Sequence, residues 1–397
     1  MAIVRRLPVW TALAALIVLS AAPASSRPAP VGGATAFQLY GGRIYAEVEL
    51  TGPDGAAHRT RAFIDLGGTG VSLSPALFRT LGPACTQGLT VRIGGTALSA
   101  RGQPVTAEAF LPFSVGAEPK VEMVLPAALL KDYQVIIDYR RRQFIVARPG
   151  SLRPRGSPTP FVMDEKTGLI TVEARVDGRA YPMTLDAGSG YTWLARAAAD
   201  PWLQDHPPWR HGQGAVGAAN MRMADDGVEA AGVLMRLPQI DVGPVRLDRV
   251  GALAIGPNAA GWDFMDWYSK KNAAPVIGWL GGNALRPFRL TIDYPNRKIY
   301  WLRQDAADPH DLDQVGLTLE RQGPRLLVAA VATRDGVPTV EGVRKGDRLL
   351  GIDGVTVTGA TSGAVLAALH GRPGETRRLE FERDGESFSV AAKVTAF

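Results

Sequence analysis

A sequence pattern that occurs twice in the same order constrains this chain of 397 residues more than any other feature. Each copy has an apolar strand that runs into an Asp-x-Gly turn, an alternating strand broken by glycine, and a hairpin that contains Ile-Asp-Tyr. The copies occupy residues 62–68, 90–95 and 135–146, and then residues 182–189, 239–244 and 290–301. Because short apolar strings seldom recur in one order by chance, the sequence predicts a duplicated lobe.

The 45 glycines and 29 prolines favour many short strands and turns over long helices, so we predict a mainly β fold. The chain is too long for one compact core. The predicted organisation is a first lobe over residues 35–148, a proline-rich linker over 149–160, a second lobe over 161–305 and a small α+β domain over 312–397.

The N-terminus has the pattern of a secretory signal peptide over residues 1–24. Arg5 and Arg6 precede an apolar run from Val9 to Leu19, and small residues follow. That run is shorter than the roughly 20 apolar residues that a spanning helix needs. We therefore expect an exported protein, periplasmic or secreted, with no stable membrane insertion after cleavage. The alternative is an uncleaved N-terminal anchor.

Cysteine and charge exclude several function classes. Cys85 is the only cysteine, so an intramolecular disulfide and a cysteine metal cluster are both excluded. The five histidines have no paired ligand spacing, and we expect neither a metal nor a cofactor. The net charge of +6 is scattered along the chain apart from residues 140–142, so no nucleic-acid partner is predicted.

Asp65 and Asp186, in the two Asp-x-Gly turns, are the candidate catalytic residues. Two carboxylates at close range cannot both ionise comfortably, so they come to share a proton. One can then act as a base toward water while the other acts as an acid toward a carbonyl. Taken singly, each Asp has the alternative role of capping its own turn. The repetition favours the paired role.

The chain resembles the retropepsin-like and pepsin-like aspartic proteases. The residues that carry the resemblance are the two Asp-x-Gly turns, the stretch 276–282 and the strand 290–294. The C-terminal segment resembles a PDZ domain through residues 346–350 and 352–354. The resemblance implies two tandem aspartic-protease-type β-barrel lobes followed by a PDZ-like domain. It also implies an exported aspartic endopeptidase that cleaves peptides or unfolded proteins, with the PDZ-like domain binding substrate or a partner peptide.

The active-site loops depart from the family pattern at one position each. In the family, Thr or Ser stands between Asp and Gly, where the hydroxyls brace the two loops. This chain has Leu66 and Ala187 there. The remaining loop residues that the resemblance assigns to the site are Gly67, Gly68, Thr69, Gly188 and Ser189. Loss of both hydroxyls supports an alternative function, a catalytically impaired peptide-binding or scaffold protein that acts mainly through its PDZ-like domain.

Two further sites follow from the resemblance. The second lobe carries an insertion whose glycines, Gly212, Gly214 and Gly217, are expected to form a flap over the carboxylates, the alternative being a disordered surface loop. The PDZ-like domain is expected to bind a peptide at Gly316, Leu317, Thr318 and Leu319. A third interpretation, a carbohydrate- or lipid-binding β protein, depends only on the tryptophans.

Overall fold

The computed structural model describes residues 32–108, 120–214, 223, 227–228, 230–258 and 260–397. Within these residues the chain is mainly β, which confirms the predicted class. The predicted signal peptide lies outside the described residues and stays a prediction. Among the helices that the structure describes, none has the length and apolar character needed to cross a membrane.

The elements up to residue 147 surround the first Asp-x-Gly turn. Strands β1 to β10 are Gly33–Tyr40, Arg43–Thr51, Ala57–Asp65, Val71–Leu73, Thr90–Ile93, Thr96–Ser99, Val105–Ala107, Met123–Pro126, Gln134–Asp138 and Gln143–Ala147. Helices α1 and α2 are Pro75–Leu81 and Cys85–Gly88, and a 3-10 turn spans Ala127–Leu129.

The elements from residue 157 to residue 303 surround the second turn. Strands β11 to β21 are Ser157–Pro160, Val162–Met163, Ile170–Val176, Arg179–Leu185, Thr192–Ala195, Arg210–Gln213, Val233–Val242, Val245–Ile255, Gly278–Leu280, Phe288–Asp293 and Lys298–Arg303. Helices α3 to α5 are Arg196–Asp205, Phe264–Ser269 and Gly282–Leu285, and a second 3-10 turn spans Pro207–Trp209.

The remaining elements follow residue 312. Strands β22 to β29 are Leu317–Gln322, Arg325–Val331, Thr333–Arg334, Val337–Pro338, Arg348–Ile352, Val355–Thr356, Thr376–Arg383 and Glu386–Lys393, and helix α6 is Ser362–Leu369. The helix begins after Thr361, whose side chain accepts a hydrogen bond from the backbone N–H of Ala364 at 3.2 Å, as an N-cap does.

The first sheet contains the Ile-Asp-Tyr hairpins of both sequence copies. Its order is β11-β21-β20-β9-β10-β1-β2-β3-β8-β4-β7, with β5 paired to β2 and β6 to β5. Strands β9 and β20 are antiparallel, with Ile137 opposite Leu290, and both side chains are fully buried. Strand β11, formed by the last four residues of the predicted linker, pairs with β21. The two halves of the repeat are therefore joined by backbone hydrogen bonds.

The strands that lead into the two Asp-x-Gly turns have matching neighbours. Strand β3 runs parallel to β8, and β4 lies antiparallel on the other side of β8. In the second sheet, of order β12-β13-β14-β19-β15-β18-β17-β16-β24-β25, strand β14 runs parallel to β19 and β15 lies antiparallel on its other side. The residue before each Asp is fully buried in its strand, Ile64 in β3 and Leu185 in β14.

The third sheet has the order β22-β23-β26-β28-β29, with β27 on β26. Helix α6 packs on it through a separate apolar cluster. That cluster includes Leu317, Leu319, Leu349, Phe381, Val365, Leu366 and Leu369. Strands β24 and β25 leave this sheet and extend the second one, where Gln213 of β16 lies opposite Thr333. The segment that was predicted as a small domain therefore contributes to two sheets, and its boundaries stay a prediction.

A buried ion pair connects the second sheet to the segment that precedes β22. Arg236 Nη1 donates to Asp311 Oδ1 at 2.7 Å, and the two side chains are 8% and 4% exposed. Arg236 Nε also donates to the Phe397 carbonyl at 3.0 Å. Asn283 Nδ2 donates to the other oxygen of Asp311 at 2.7 Å. The hydrogen bonds satisfy charges that burial would otherwise make costly.

Candidate active site

The two Asp-x-Gly turns have the same local geometry. Asp65 is the last residue of β3, and Asp186 follows directly after β14. The backbone N–H of Gly67 donates to Asp65 Oδ1 at 3.1 Å, and that of Gly188 donates to Asp186 Oδ1 at 2.7 Å. Each carboxylate therefore accepts from the amide two residues later, which is how Asp stabilises a tight turn.

The two turns also meet each other. The Gly67 N–H donates to Asp186 Oδ1 at 3.1 Å as well as to its own Asp65. A Cβ on Gly67 would lie 2.6 Å from Asp186 Cγ, and a Cβ on Gly188 would lie 2.5 Å from Asp65 Oδ1. Only glycine leaves room for such close approach. The structure thus brings Asp65, Gly67, Asp186 and Gly188 into one cluster.

Burial raises the pKa of both carboxyl groups, and at Asp65 the charge of Asp186 adds to the rise. For Asp65 the larger cause of the raised pKa is burial, and the next is the charge of Asp186. Burial likewise raises the pKa of Asp186, which is 8% exposed, while the amides of Gly188 and Gly67 oppose the rise. Two adjacent carboxyls that both resist ionisation titrate as a pair. Such a pair holds one proton at pH values where an isolated Asp holds none.

Arg43 is a charged neighbour of the pair that sequence reasoning missed. It begins β2, is 8% exposed, and its Nη1 donates to the Gly41 carbonyl at 3.0 Å. Its positive charge lowers the pKa of both Asp65 and Asp186. A Cβ on Gly190, in the second turn, would lie 3.3 Å from the same Nη1. No local motif links Arg43 to a turn so distant in sequence.

The positions where the family pattern has hydroxyls are filled by apolar packing. Leu66 is 1% exposed and Ala187 is fully buried, and both belong to one large apolar cluster. The hydroxyl of Ser189 donates to the carbonyl of Tyr191 at 2.7 Å, within its own half of the site. Gly68 and Thr69 lie half-buried in the first turn, and a Cβ on Gly68 would lie 2.7 Å from Asp65 Oδ2.

An aromatic cluster extends from the carboxyl pair toward solvent. Tyr268 lies within electrostatic range of the pair, since burial and then the charges of Asp186 and Asp65 raise its pKa well above the usual value. Its ring contacts Trp279 at 5.0 Å between centroids. The cluster continues through Trp193 and Phe264 to the half-exposed Trp262 and Trp267. Local sequence patterns could not place these aromatic side chains near the site.

The predicted flap glycines lie at the base of their loop. Gly212 is buried in β16, where a Cβ would lie 2.8 Å from the Phe397 ring. Gly214 has φ +88°, and its N–H donates to the Gly232 carbonyl at 3.0 Å, which closes the base of the loop. Gly217 lies outside the described residues. A flap role for this loop therefore stays a prediction.

The predicted peptide-binding residues form the start of β22. Gly316 has φ +87° and precedes Leu317, Thr318 and Leu319, all buried. Strand β22 is the first in the order of the third sheet, with β23 as its neighbour. The edge of β22 opposite β23 therefore faces away from the third sheet. These residues lie on a different sheet from both carboxylates.

No known protein-family model matches this chain, and no curated protein matches it.

Proposed function

We propose that this chain is an exported aspartic endopeptidase in which Asp65 and Asp186 share a proton and activate a water on a peptide bond. The observation that carries the proposal is the Gly67 N–H, which donates at 3.1 Å to an oxygen of each carboxylate. A single amide can satisfy both groups only if the carboxylates converge on one point. Their raised pKa values support a shared proton there.

The proposed architecture is two aspartic-protease-like lobes followed by a PDZ-like domain. Its support is the matched strand pairing around the two turns: β3 with β8 and β4, and β14 with β19 and β15. The same three-strand arrangement on both sides is what a duplicated lobe related by a pseudo-twofold axis would have. The third sheet with helix α6 is the proposed PDZ-like part.

In the proposed reaction, the ionised carboxylate takes a proton from water as the water oxygen bonds to the peptide carbonyl carbon. The protonated carboxyl gives its proton to the carbonyl oxygen, which produces a neutral tetrahedral diol. The C–N bond then breaks as the newly protonated carboxyl gives its proton to the nitrogen and the other carboxylate takes a proton from one diol hydroxyl, which restores one acid and one carboxylate. Because each step moves one proton into the pair and one proton out of it, the pair never holds two full negative charges.

Peptides or unfolded proteins with apolar side chains are the proposed substrates. The aromatic cluster from Tyr268 to Trp262 supplies an apolar surface beside the carboxylates, and Trp262 is 49% exposed. Large aromatic side chains at a site favour binding of apolar groups. The PDZ-like domain is proposed to bind a substrate or partner segment by strand addition at β22.

A second candidate, a non-catalytic peptide-binding scaffold, is favoured by one observation. Leu66 and Ala187 are buried in the apolar core, so neither turn has a hydroxyl with which to brace the other at that position. In this function the aromatic surface near the carboxylates would hold a peptide without cutting it.

Cleavage of reduced, alkylated α-lactalbumin between pH 4 and pH 6 tests the first candidate. We expect wild type to cut it and Asp186→Asn to leave it intact. Asp384→Asn is the matched control, because that side chain is 89% exposed. Equal cleavage by wild type and Asp186→Asn would refute the endopeptidase. A statine-type inhibitor separates the two candidates. A working carboxyl pair binds the inhibitor tightly, and the Asp65→Asn variant loses that binding.

A further inference from the structure

Tyr40 connects the first sheet to helix α6, which packs on the third sheet. It is the last residue of β1, and its hydroxyl accepts a hydrogen bond from the backbone N–H of Gly363, the second residue of α6, at 2.8 Å. A Cβ on Gly363 would overlap Cε1 and Cζ of the Tyr40 ring and would lie 2.8 Å from its Cε2. The ring therefore lies directly on the helix, at a position where only glycine leaves room for it.

A second group of the third sheet lies near the same tyrosine. Arg321 belongs to β22, and its Nη2 donates to the carbonyl of Ala360, just before α6, at 3.1 Å. Burial lowers the pKa of Arg321, and the interaction of its charge with Tyr40 opposes that change. Tyr40 is thus in contact with α6 and within electrostatic range of β22.

Within the first sheet, Tyr40 lies opposite Arg43 in the β1–β2 hairpin. Between them are Gly41 and Gly42, with φ +54° and +78°, and two central residues of positive φ are what a type I′ turn has. Side chains directly opposite each other on antiparallel strands project from the same face, with Cβ atoms about 5 Å apart. The position of Tyr40 therefore determines where the Arg43 side chain begins.

The turn formed by Gly41 and Gly42 also contacts the second half of the repeat. A Cβ on Gly42 would lie 2.9 Å from the Cα of Gly190, and a Cβ on Gly282, in α5, would lie 2.6 Å from the Gly42 carbonyl oxygen. The guanidinium of Arg43 is bound to this turn, because its Nη1 donates to the Gly41 carbonyl at 3.0 Å. A movement of the turn therefore carries the Arg43 charge with it.

We infer that Tyr40 is a positioning residue for the carboxyl pair. Its contact with α6 holds the β1–β2 turn in place, and the turn holds the Arg43 guanidinium where its charge reaches Asp65 and Asp186. The third sheet and its helix then support the carboxyl pair, in addition to any peptide that they bind. This inference rests on the shared-proton role proposed above for the two carboxyl groups.

Arg43 is the group near the pair whose displacement would change the titration of the pair. Its positive charge lowers the pKa of both carboxyl groups. Tyr268 of α4 and Tyr139, which follows β9, also interact with the pair, but burial raises the pKa of each phenol, so both stay neutral in acid. Arg286, after α5, acts on Tyr139 and, as an arginine, keeps its charge. Moving Arg43 away therefore raises the pKa of the pair.

The pH–rate profile for cleavage of reduced, alkylated α-lactalbumin tests the inference. We expect Tyr40→Phe, which removes the hydroxyl and keeps the ring, to move the acid limb to higher pH by about 0.3–1 pH unit, a part of what loss of a close opposite charge produces. Arg43→Met should move the limb further in the same direction. Adding Tyr40→Phe to Arg43→Met should then change nothing more, because Tyr40 acts through Arg43. An unmoved limb in Tyr40→Phe, or an equal movement in both backgrounds, would overturn the inference.

Gly363→Ala tests the same contact from the helix. The added Cβ overlaps the Tyr40 ring, whereas alanine is a better helix former than glycine, so the change does not weaken α6 itself. We expect the same movement of the acid limb as in Tyr40→Phe, and no larger movement when the two changes are combined.

Two matched controls accompany these variants. Ala367→Gly weakens the same helix at an exposed position, and Tyr300→Phe removes the hydroxyl of a half-buried tyrosine on β21 of the first sheet. Both should keep the acid limb of the wild type. A limb that moves as far in Ala367→Gly as in Gly363→Ala would assign the effect to helix stability and overturn the role of Tyr40.

NMR of isotope-labelled aspartate carboxyl carbons separates this inference from the proposed proteolysis. The signals of Asp65 and Asp186, assigned with Asp65→Asn and Asp186→Asn, follow ionisation whether or not the protein cuts a substrate. We expect the titration of the pair to move to higher pH in both Tyr40→Phe and Gly363→Ala. A wild type that leaves α-lactalbumin intact would refute the endopeptidase, whereas an unchanged titration in both variants would overturn the role of Tyr40.

Discussion

The backbone N–H of Gly67 donates to Asp186 Oδ1 at 3.1 Å, a contact between residues 119 positions apart. The donor lies in a turn that follows β3 of the first sheet, and the acceptor follows β14 of the second. One amide therefore fixes the position of a carboxylate on the opposite sheet, and it does so without the hydroxyls that the family pattern would supply. Where the family pattern has hydroxyls, this chain has the buried apolar side chains of Leu66 and Ala187, and the contact between the turns is made by the backbone.

Gly67→Ala should reduce proteolysis by at least about 100-fold, equivalent to roughly 2.7 kcal/mol of transition-state stabilisation. Its Cβ would lie 2.6 Å from Asp186 Cγ, so the turns must separate. Gly95→Ala is the matched control, because a Cβ there meets nothing within 4 Å. The measurement is kcat/KM on a quenched peptide, with melting curves to verify folding. Full activity in Gly67→Ala would show that the close approach is dispensable.

Arg43→Met should move the acid limb of the pH–rate profile to higher pH. The charge of Arg43 lowers the pKa of both Asp65 and Asp186, so its removal lets both pKa values rise. The single ionised carboxylate that the reaction needs then forms only at higher pH. Arg59→Met is the control, since the Arg59 side chain is 87% exposed in the same sheet. A limb that stays in place, or moves to lower pH, contradicts the assignment.

Asp65→Asn should abolish cleavage and yet raise thermal stability at pH 7. The folded-state pKa of Asp65 lies above its unfolded value, so folding favours the protonated form. The contribution of this protonated form to folding stability is fully present below the unfolded-state pKa and is lost as the pH rises through the folded-state pKa. Asparagine removes the costly charge, and we expect a Tm gain of about 2 °C or more at pH 7 that shrinks toward pH 3.

Calorimetry of wild type, Asp65→Asn and Asp384→Asn at pH 3, 5 and 7 measures this gain. The exposed Asp384 serves as the control, and the Tm of Asp384→Asn should equal that of the wild type at all three pH values. A variant at position 65 that is less stable than wild type at pH 7 would mean that the ionised pair stabilises the fold.

Arg236→Met should destabilise the fold by about 3–5 kcal/mol, because it leaves Asp311 charged and buried without its partner. The matched control is Arg140→Met, which breaks a pair with Asp305 whose side chains are 53% and 50% exposed. Exposed pairs contribute less than about 1 kcal/mol. Urea unfolding followed by circular dichroism measures both. Similar losses of unfolding free energy in the two variants would mean that water solvates Arg236 and Asp311 in the folded protein.

Local patterns in the sequence were sufficient to locate the main strands. The apolar runs before Asp65 and Asp186 predicted β3 and β14, and the two Ile-Asp-Tyr segments predicted the hairpins β9–β10 and β20–β21. These elements depend on periodicity and on turn residues close in sequence, which a single chain displays directly. The repetition also indicated that the two Asp turns belong together, which the Gly67 contact supports.

Other parts of the site depend on how distant elements pack, and local patterns carry no information on that. Arg43 follows a Gly-Gly turn like many others, and only the approach of that turn to Gly190 places its charge near the pair. Met223 lies in the insertion between β16 and β17, and nothing in the neighbouring sequence indicates that its carbonyl accepts a hydrogen bond from the Arg321 N–H. The pairing of β24 with β16 divides a segment that looks continuous in sequence.

The pairing of β9 with β20 makes the order of synthesis matter. When Asp138 leaves the ribosome, about 150 residues remain to be added before Phe288 appears, which takes roughly 8–30 s at ordinary rates of translation. During that interval an edge containing Val135, Ile136 and Ile137, all buried in the finished protein, has no partner. An uncovered apolar edge strand is a template for aggregation. A nascent first half of this protein therefore exposes an aggregation-prone edge until the second half arrives to cover it.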